Sequence, residues 1–220
     1  MTAGHTLAST DTPAGGTLLL LRHGEVQMAD TGRHYIGQQD LPLSPRGREQ
    51  AAAWGDYFAA AGLQAIVCSD LSRCVETARI ISARCRLVPQ AWPELREVDL
   101  GEWDGQSFAA IQSCDPEAFR QRGARIADHC PPEGESFRDL DGRVWPFFEV
   151  LLRRPQGRIL VVTHAGVIRV LLCHLLGMPL ENLFALGVAH GALTIVDIRP
   201  SGNRLQALNL TPQSENLVLL

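Results

Sequence analysis

Short apolar runs alternate with longer segments of helical periodicity along the chain. Thr17–Leu21 (TLLLL) reads as a strand buried on both faces, because a continuous apolar run leaves no side for water. After a loop rich in Gly, Asp and Pro, Ser44 as N-cap and Pro45 at the first helical position open a helix. It is expected to reach about Ala61, with Gly62 as its stop. Ala65–Cys68 is the next expected strand, followed by a helix capped by Ser69 or Asp70 and running to about Arg84. A short strand is placed near Arg86–Val88, closed by Pro89. Glu135–Arg153 has a helical pattern, with Pro146 as the point where it would bend. Arg158–Val162 (RILVV) reads as a strand and Val167–Leu176 as a helix ending at Gly177. Ala192–Ile198 and Leu205–Leu210 complete the expected sheet. This alternation predicts an α/β domain with crossover helices.

Residues 92–134 break the pattern with Trp92-Pro93, Gly101, Gly105, Asp115-Pro116 and Pro131-Pro132. Only short helices fit there, around 107–112 and 116–127, and an insertion of this kind reads as a cap over a binding site. Arg120, Arg122 and Arg125 share one of those helices and are expected mainly as a solvated basic face. Residues 1–16 have neither a basic start nor an apolar block and are expected as a disordered tail before a single domain, 17–220.

The 20 basic residues are all arginine; the 220-residue chain contains no lysine. Schiff-base and pyridoxal chemistry are therefore excluded, as is a phosphate loop that depends on lysine. An anion must be held by arginine, histidine or backbone N–H groups. A formal charge of −4 argues against a nucleic-acid partner, and no run of 18 apolar residues suggests a membrane span. The six cysteines form no C-x-x-C pair, so they read as reduced thiols of a cytoplasmic protein. The apolar terminus Asn216–Leu220 would pack on the domain or pair with a second copy, leaving a homodimer open.

Two strand ends resemble each other: TLLLL leads into Arg22-His23-Gly24-Glu25, and ILVV into Thr163-His164-Ala165-Gly166. In an open parallel sheet the residues just past the carboxyl ends line the ligand crevice, so both histidines are expected to face it. Glycine near each one lets backbone approach a ligand closely. Arg73 falls in the first turn of its helix, where a cation works against the helix dipole. An anion held there is one explanation; an ion pair with Asp70 or Glu76 is the other. With Arg22, Arg73, His23 and His164 around one crevice, a phosphoryl group is the favoured ligand, because guanidinium forks match its oxygens. A zinc site comes second, since two guanidiniums would oppose a dication and no helical His–His spacing occurs. The run Glu94–Gly105 offers five candidate acids, Glu94, Glu97, Asp99, Glu102 and Asp104, and spacing does not choose among them.

These motifs resemble the histidine phosphatase superfamily. Arg22-His23-Gly24-Glu25 is similar to its opening R-H-G-E block, and Gly37…Asp40-Leu41-Pro42-Leu43-Ser44…Gly47 to the loop and helix start that follow. Ser69-Asp70-Leu71-Ser72-Arg73…Thr77-Ala78, Leu95-Arg96-Glu97…Gly101-Glu102-Trp103-Asp104-Gly105, Gly134-Glu135-Ser136 and Val162-Thr163-His164-Ala165-Gly166 complete the ordered set. The resemblance covers about Leu18 to Ile198 and implies a phosphoglycerate-mutase-like fold: three layers around a mostly parallel sheet, with 92–134 as the cap.

It also implies roles. His23 would be the nucleophile that forms a phosphohistidine, and Glu97 the proton donor. Arg22, Arg73 and His164 would bind phosphoryl oxygens, with Gly24, Gln27, Gly37 and Ala165 lining the substrate site. Many relatives carry asparagine six residues after the nucleophile; here Ala29 stands there, with Gln27 and Asp30 as nearby polar groups. The implied activity is metal-free and cofactor-free hydrolysis of a small phosphorylated metabolite, most like the α-ribazole-phosphate phosphatases of cobalamin biosynthesis. A broad-specificity phosphatase or a phosphoglycerate mutase is the alternative within the family. Outside catalysis, the alternative is a module that only binds phosphorylated ligands.

Overall fold

The computed structural model describes residues 15–153 and 157–213. Most of the expected tail and the apolar segment Asn216–Leu220 lie outside them, and Gly16 already belongs to the first strand. Six strands form one sheet: β1 (Gly16–Arg22), β2 (Leu63–Ser69), β3 (Gln90–Trp92), β4 (Arg158–Thr163), β5 (Leu193–Ile198) and β6 (Arg204–Leu210). Their order is β3-β2-β4-β1-β5-β6. β1 to β4 run parallel, β5 is antiparallel to β1, and β6 antiparallel to β5. The helices are α1 (Pro45–Phe58), α2 (Ser72–Cys85), α3 (Phe108–Cys114), α4 (Pro116–Ala124), α5 (Phe137–Leu152) and α6 (Ala165–Leu176).

The run TLLLL divides the core in two. Successive side chains of a strand point to opposite faces. Leu18 and Leu20 therefore meet Val144, Phe148, Val167 and Leu171 of α5 and α6. Leu19 and Leu21 meet Trp54, Phe58, Ala78 and Ile81 of α1 and α2. All four leucines are fully buried, which makes β1 the central layer of three.

Local chemistry sets most helix ends. Ser44 Oγ accepts the Gly47 amide at 3.1 Å, and Pro45 supplies the fixed φ of the first turn. Ser136 and Asp139 form a reciprocal capping box, so α5 starts after Ser136, not at Glu135. Two expectations need correction. The strand placed at Arg86–Val88 lies instead at Gln90–Trp92, because Arg86 ends α2 in the left-handed conformation (φ 55°) and the chain must leave the helix first. The N-cap of α2 is Leu71, without a side-chain cap, because Ser69 and Asp70 are engaged elsewhere. Residues 92–134 do hold short helices, but α4 stops at Ala124.

Candidate active site

The carboxyl ends of β1, β2 and β4 meet the N-termini of α2 and α6, and the sequence-selected residues gather there. His23 follows β1 and His164 follows β4, with ring centroids 5.1 Å apart. His23 is buried, and its Nδ1 lies 2.7 Å from the Gly24 carbonyl. That oxygen can only accept, so Nδ1 carries the proton and Nε2 keeps its lone pair. Burial, then the neighbouring His164, Arg22 and Arg73, hold the imidazole pKa well below 6.5. His164 is fully buried and equally kept neutral, by burial and then Arg73 and Arg22; its Nε2 lies 2.9 Å from Ser69 Oγ.

Arg73 is 1% exposed, donating from Nη1 to the Gln39 carbonyl at 2.7 Å and from Nη2 to the Gly37 carbonyl at 2.6 Å. The surface ion pairs considered for it do not form. Asp70 takes a two-pronged bond from Arg96, and Glu76 pairs with Arg48. Arg22 donates from Nη1 to the Val188 carbonyl and from Nη2 to His190 Nε2, both at 2.8 Å. Burial lowers its pKa to about 10, which leaves it charged at neutral pH. The Nε atoms of both arginines are buried with no acceptor among the described residues. Buried donors almost always find a partner, so these two are donors that the oxygens of an anion could satisfy.

Glu97 is buried and lines the same cavity as Arg22. Its Oε1 accepts the Val98 amide and its Oε2 the Gly166 amide, both at 3.0 Å. A Cβ on Gly166 would overlap Glu97 Oε1 and crowd the Phe137 ring, so this carboxylate needs a glycine beside it. Arg143 braces the segment by donating to the carbonyls of Glu94, Arg96 and Glu97. The other acids of that run have different work. Asp104 holds the Gly37 and Gln39 amides, Asp99 the Gly101 amide, and Glu102 is exposed. Glu94 lines a separate cavity between β3 and α5, away from the histidines.

Of the remaining sequence candidates, Gly24 donates its amide to Thr77 Oγ1 at 3.2 Å, and Gly37 acts through the carbonyl that holds Arg73. Ala165 lines the main cavity. Gln27 is not brought in: it is exposed and reaches only the Met28 carbonyl, at 3.4 Å. Asp30 turns to the Gly32 amide and His34, so neither residue takes the place of the asparagine absent at Ala29.

Sequence reasoning missed His190. Its ring centroid lies 5.4 Å from that of His23, its Nε2 accepts from Arg22, and burial and the two arginines lower its pKa to about 3. The signal was the pair His190-Gly191, a third histidine beside a glycine next to an apolar run. It precedes its strand, and only because β5 is antiparallel does it reach the same edge as the other two.

A cavity of about 790 Å³ adjoins this pocket, lined by Arg22, Glu97 and Gly166 together with Phe119, Arg122 and Ile126 of the 92–134 segment. Among the described residues no three His, Cys, Asp or Glu side chains gather as metal ligands, and all six cysteines are free. No helix among them is long and apolar enough to cross a membrane.

The family model for the histidine phosphatase superfamily (branch 1) matches residues 18–211. The adenosylcobalamin/alpha-ribazole phosphatase of Escherichia coli K12 is 32% identical over 193 residues, covering 87% of this chain and 95% of its own. The probable phosphoglycerate mutase GpmB of Proteus mirabilis is 32% identical over 187 residues, covering 83% and 85%. Among solved structures, the alpha-ribazole phosphatase of Shigella flexneri superposes with a TM-score of 0.81 at 31% identity, covering 88% of this chain and 96% of that one.

Proposed function

This chain belongs to the histidine phosphatase superfamily, and from that premise we propose that it hydrolyses a small phosphomonoester, without a metal, through a phosphohistidine at His23. The observation that carries the reading is the pairing of His23, whose Nε2 is free to attack, with the unpartnered Nε donors of Arg22 and Arg73. His23 Nε2 attacks phosphorus as the bond to the leaving oxygen breaks, while the Gly24 carbonyl holds the Nδ1 proton. The two guanidiniums and His164 stabilise charge on the three phosphoryl oxygens in flight. Glu97, fixed by two amides, gives its proton to the leaving oxygen. Water then attacks the phosphohistidine and passes a proton to Glu97, which restores the site. His190 keeps Arg22 aimed at the pocket.

The substrate is the finer part of the reading. The comparisons support α-ribazole phosphate first, with a broader phosphomonoesterase or a phosphoglycerate mutase behind it. The module that only binds has no use for both a free nucleophilic nitrogen and a seated acid. Phosphate release from p-nitrophenyl phosphate decides between hydrolysis and mere binding. The wild type is expected to turn over at pH 5–8 with and without EDTA, and His23→Ala to be inactive. Activity lost to EDTA, or kept by His23→Ala, would refute the scheme. A panel of α-ribazole phosphate, phosphoglycerates, sugar phosphates and nucleotides then fixes the substrate.

A further inference from the structure

Arg122 projects from α4 into the cap-side wall of the main cavity, and no step of the reaction above uses it. It is 8% exposed, and its guanidinium lies 5.6 Å from the ring centroid of Tyr35, 6.0 Å from Trp103 and 5.5 Å from Phe137. Its Nη1 is buried with no hydrogen-bond partner, and no carboxylate among the described residues pairs with it. The neighbouring arginines are different: Arg120 is exposed and pairs with Glu117, and Arg125, just past the end of α4, is exposed. A buried, unpaired cation is costly, and three aromatic faces offset only part of the cost. An anion on Nη1 would offset the rest.

The balance of charge on the wall leads to the same ligand. Arg22, Arg33, Arg122 and Arg169 face the cavity, against one carboxylate, Glu97. A phosphoryl dianion is matched by Arg22 and Arg73. Arg33 lies over Phe108 at 4.8 Å and Arg169 over Phe184 at 4.9 Å, which flattens them against the aromatic lining. Arg122 is the buried cation left over. The cavity also has far more room than a phosphoryl group fills, and much of its wall is aromatic.

We infer that Arg122 determines substrate specificity by receiving a second anionic group, a carboxylate or phosphate, carried on a leaving group whose flat apolar portion lies against the part-exposed lining at Phe119 and Ile126. The inference rests on the phosphatase reading and adds the class of leaving group. An ester ending in a neutral ring would use that apolar lining but leave Nη1 without an anion, so the substrate panel above should rank such esters behind those with a second anion.

The test compares phenyl phosphate, 4-carboxyphenyl phosphate and 1,4-phenylene bisphosphate. For the wild type, kcat/KM is expected to favour the esters with a second anion by about tenfold or more, mostly through KM, as a charge-assisted bond to a buried group would give. The better of the two tells whether carboxylate or phosphate is preferred. Arg122→Met is expected to bring the ratio to phenyl phosphate close to one. A wild-type ratio at or below one, or a ratio kept by Arg122→Met, overturns the inference. Should the variant not fold, the wild-type ratio decides alone. Should no ester release phosphate, the phosphatase reading fails, and calorimetric Kd values for the same esters then test Arg122 separately; equal values overturn it.

Discussion

Acidification from pH 7.5 to 5 should destabilise the protein through three histidines that the fold keeps neutral. His23 and His164 are held well below 6.5, chiefly by burial, and His190 is lowered to about 3. In the unfolded chain each returns to about 6.5 and takes up a proton that the native site refuses. The sign follows from the lowered native pKa. Stability is intact above 6.5 and is lost as pH falls from there toward the native values. Over the 1.5 units to pH 5, His190 alone costs roughly 2 kcal/mol, and His23 and His164 add to it in the same direction. That is a large fraction of the ~5–15 kcal/mol typical of a folded domain. The lowered carboxylates Asp70 and Asp139 titrate below this window, while His129, also lowered by burial, adds to the effect inside it. Urea unfolding followed by tryptophan fluorescence at pH 7.5, 6.5, 5.5 and 5.0 would measure it, in buffers free of phosphate, which would stabilise the native state by binding. The slope at pH 5–5.5 should exceed the one proton that His190 contributes. His190→Gln, which keeps an acceptor for Arg22, should lower it by about one. A flat profile, or an unchanged slope in His190→Gln, would refute the argument that the site is built from neutral imidazoles.

Two further outcomes follow from the seating of Glu97. In Glu97→Gln, kcat for alkyl phosphates should fall by about 10²–10⁴, the usual worth of a general acid, and much less for p-nitrophenyl phosphate, whose leaving oxygen needs no proton; equal losses on both would count against Glu97 as the donor. Gly166→Ala places a methyl where Glu97 Oε1 sits, so it should reproduce the same leaving-group dependence with little change in Tm, and an unaffected alanine variant would show that the carboxylate does not need this seat.

Much of this was legible in the chain because it depends on neighbours. The alternating burial of Leu18 to Leu21 follows from strand geometry, and the cap at Ser44 follows from a side chain that reaches its own helix. The argument from the helix dipole also singled out Arg73 as more than a surface residue, and it is 1% exposed. Local signals misled where a side chain had two possible partners. Ser69 and Asp70 look like caps for α2, but His164 and Arg96, far along the chain, claim them. Arg86 gives no local sign that it will take a left-handed conformation, which displaced the expected β3.

By itself, then, the sequence determined the elements, the central layer and the residues at the strand ends, since periodicity and capping act over a few positions. The direction of β5, which carries His190 to the site, was decided only by the sheet as a whole. Pairing of charges was decided at the same level. Arg120 and Arg122 stand two residues apart on one helix, yet one is exposed beside Glu117 and the other is buried among aromatic rings. Which of them meets a carboxylate and which meets the cavity depends on contacts between distant segments, and those exist only once the cap has folded against the sheet.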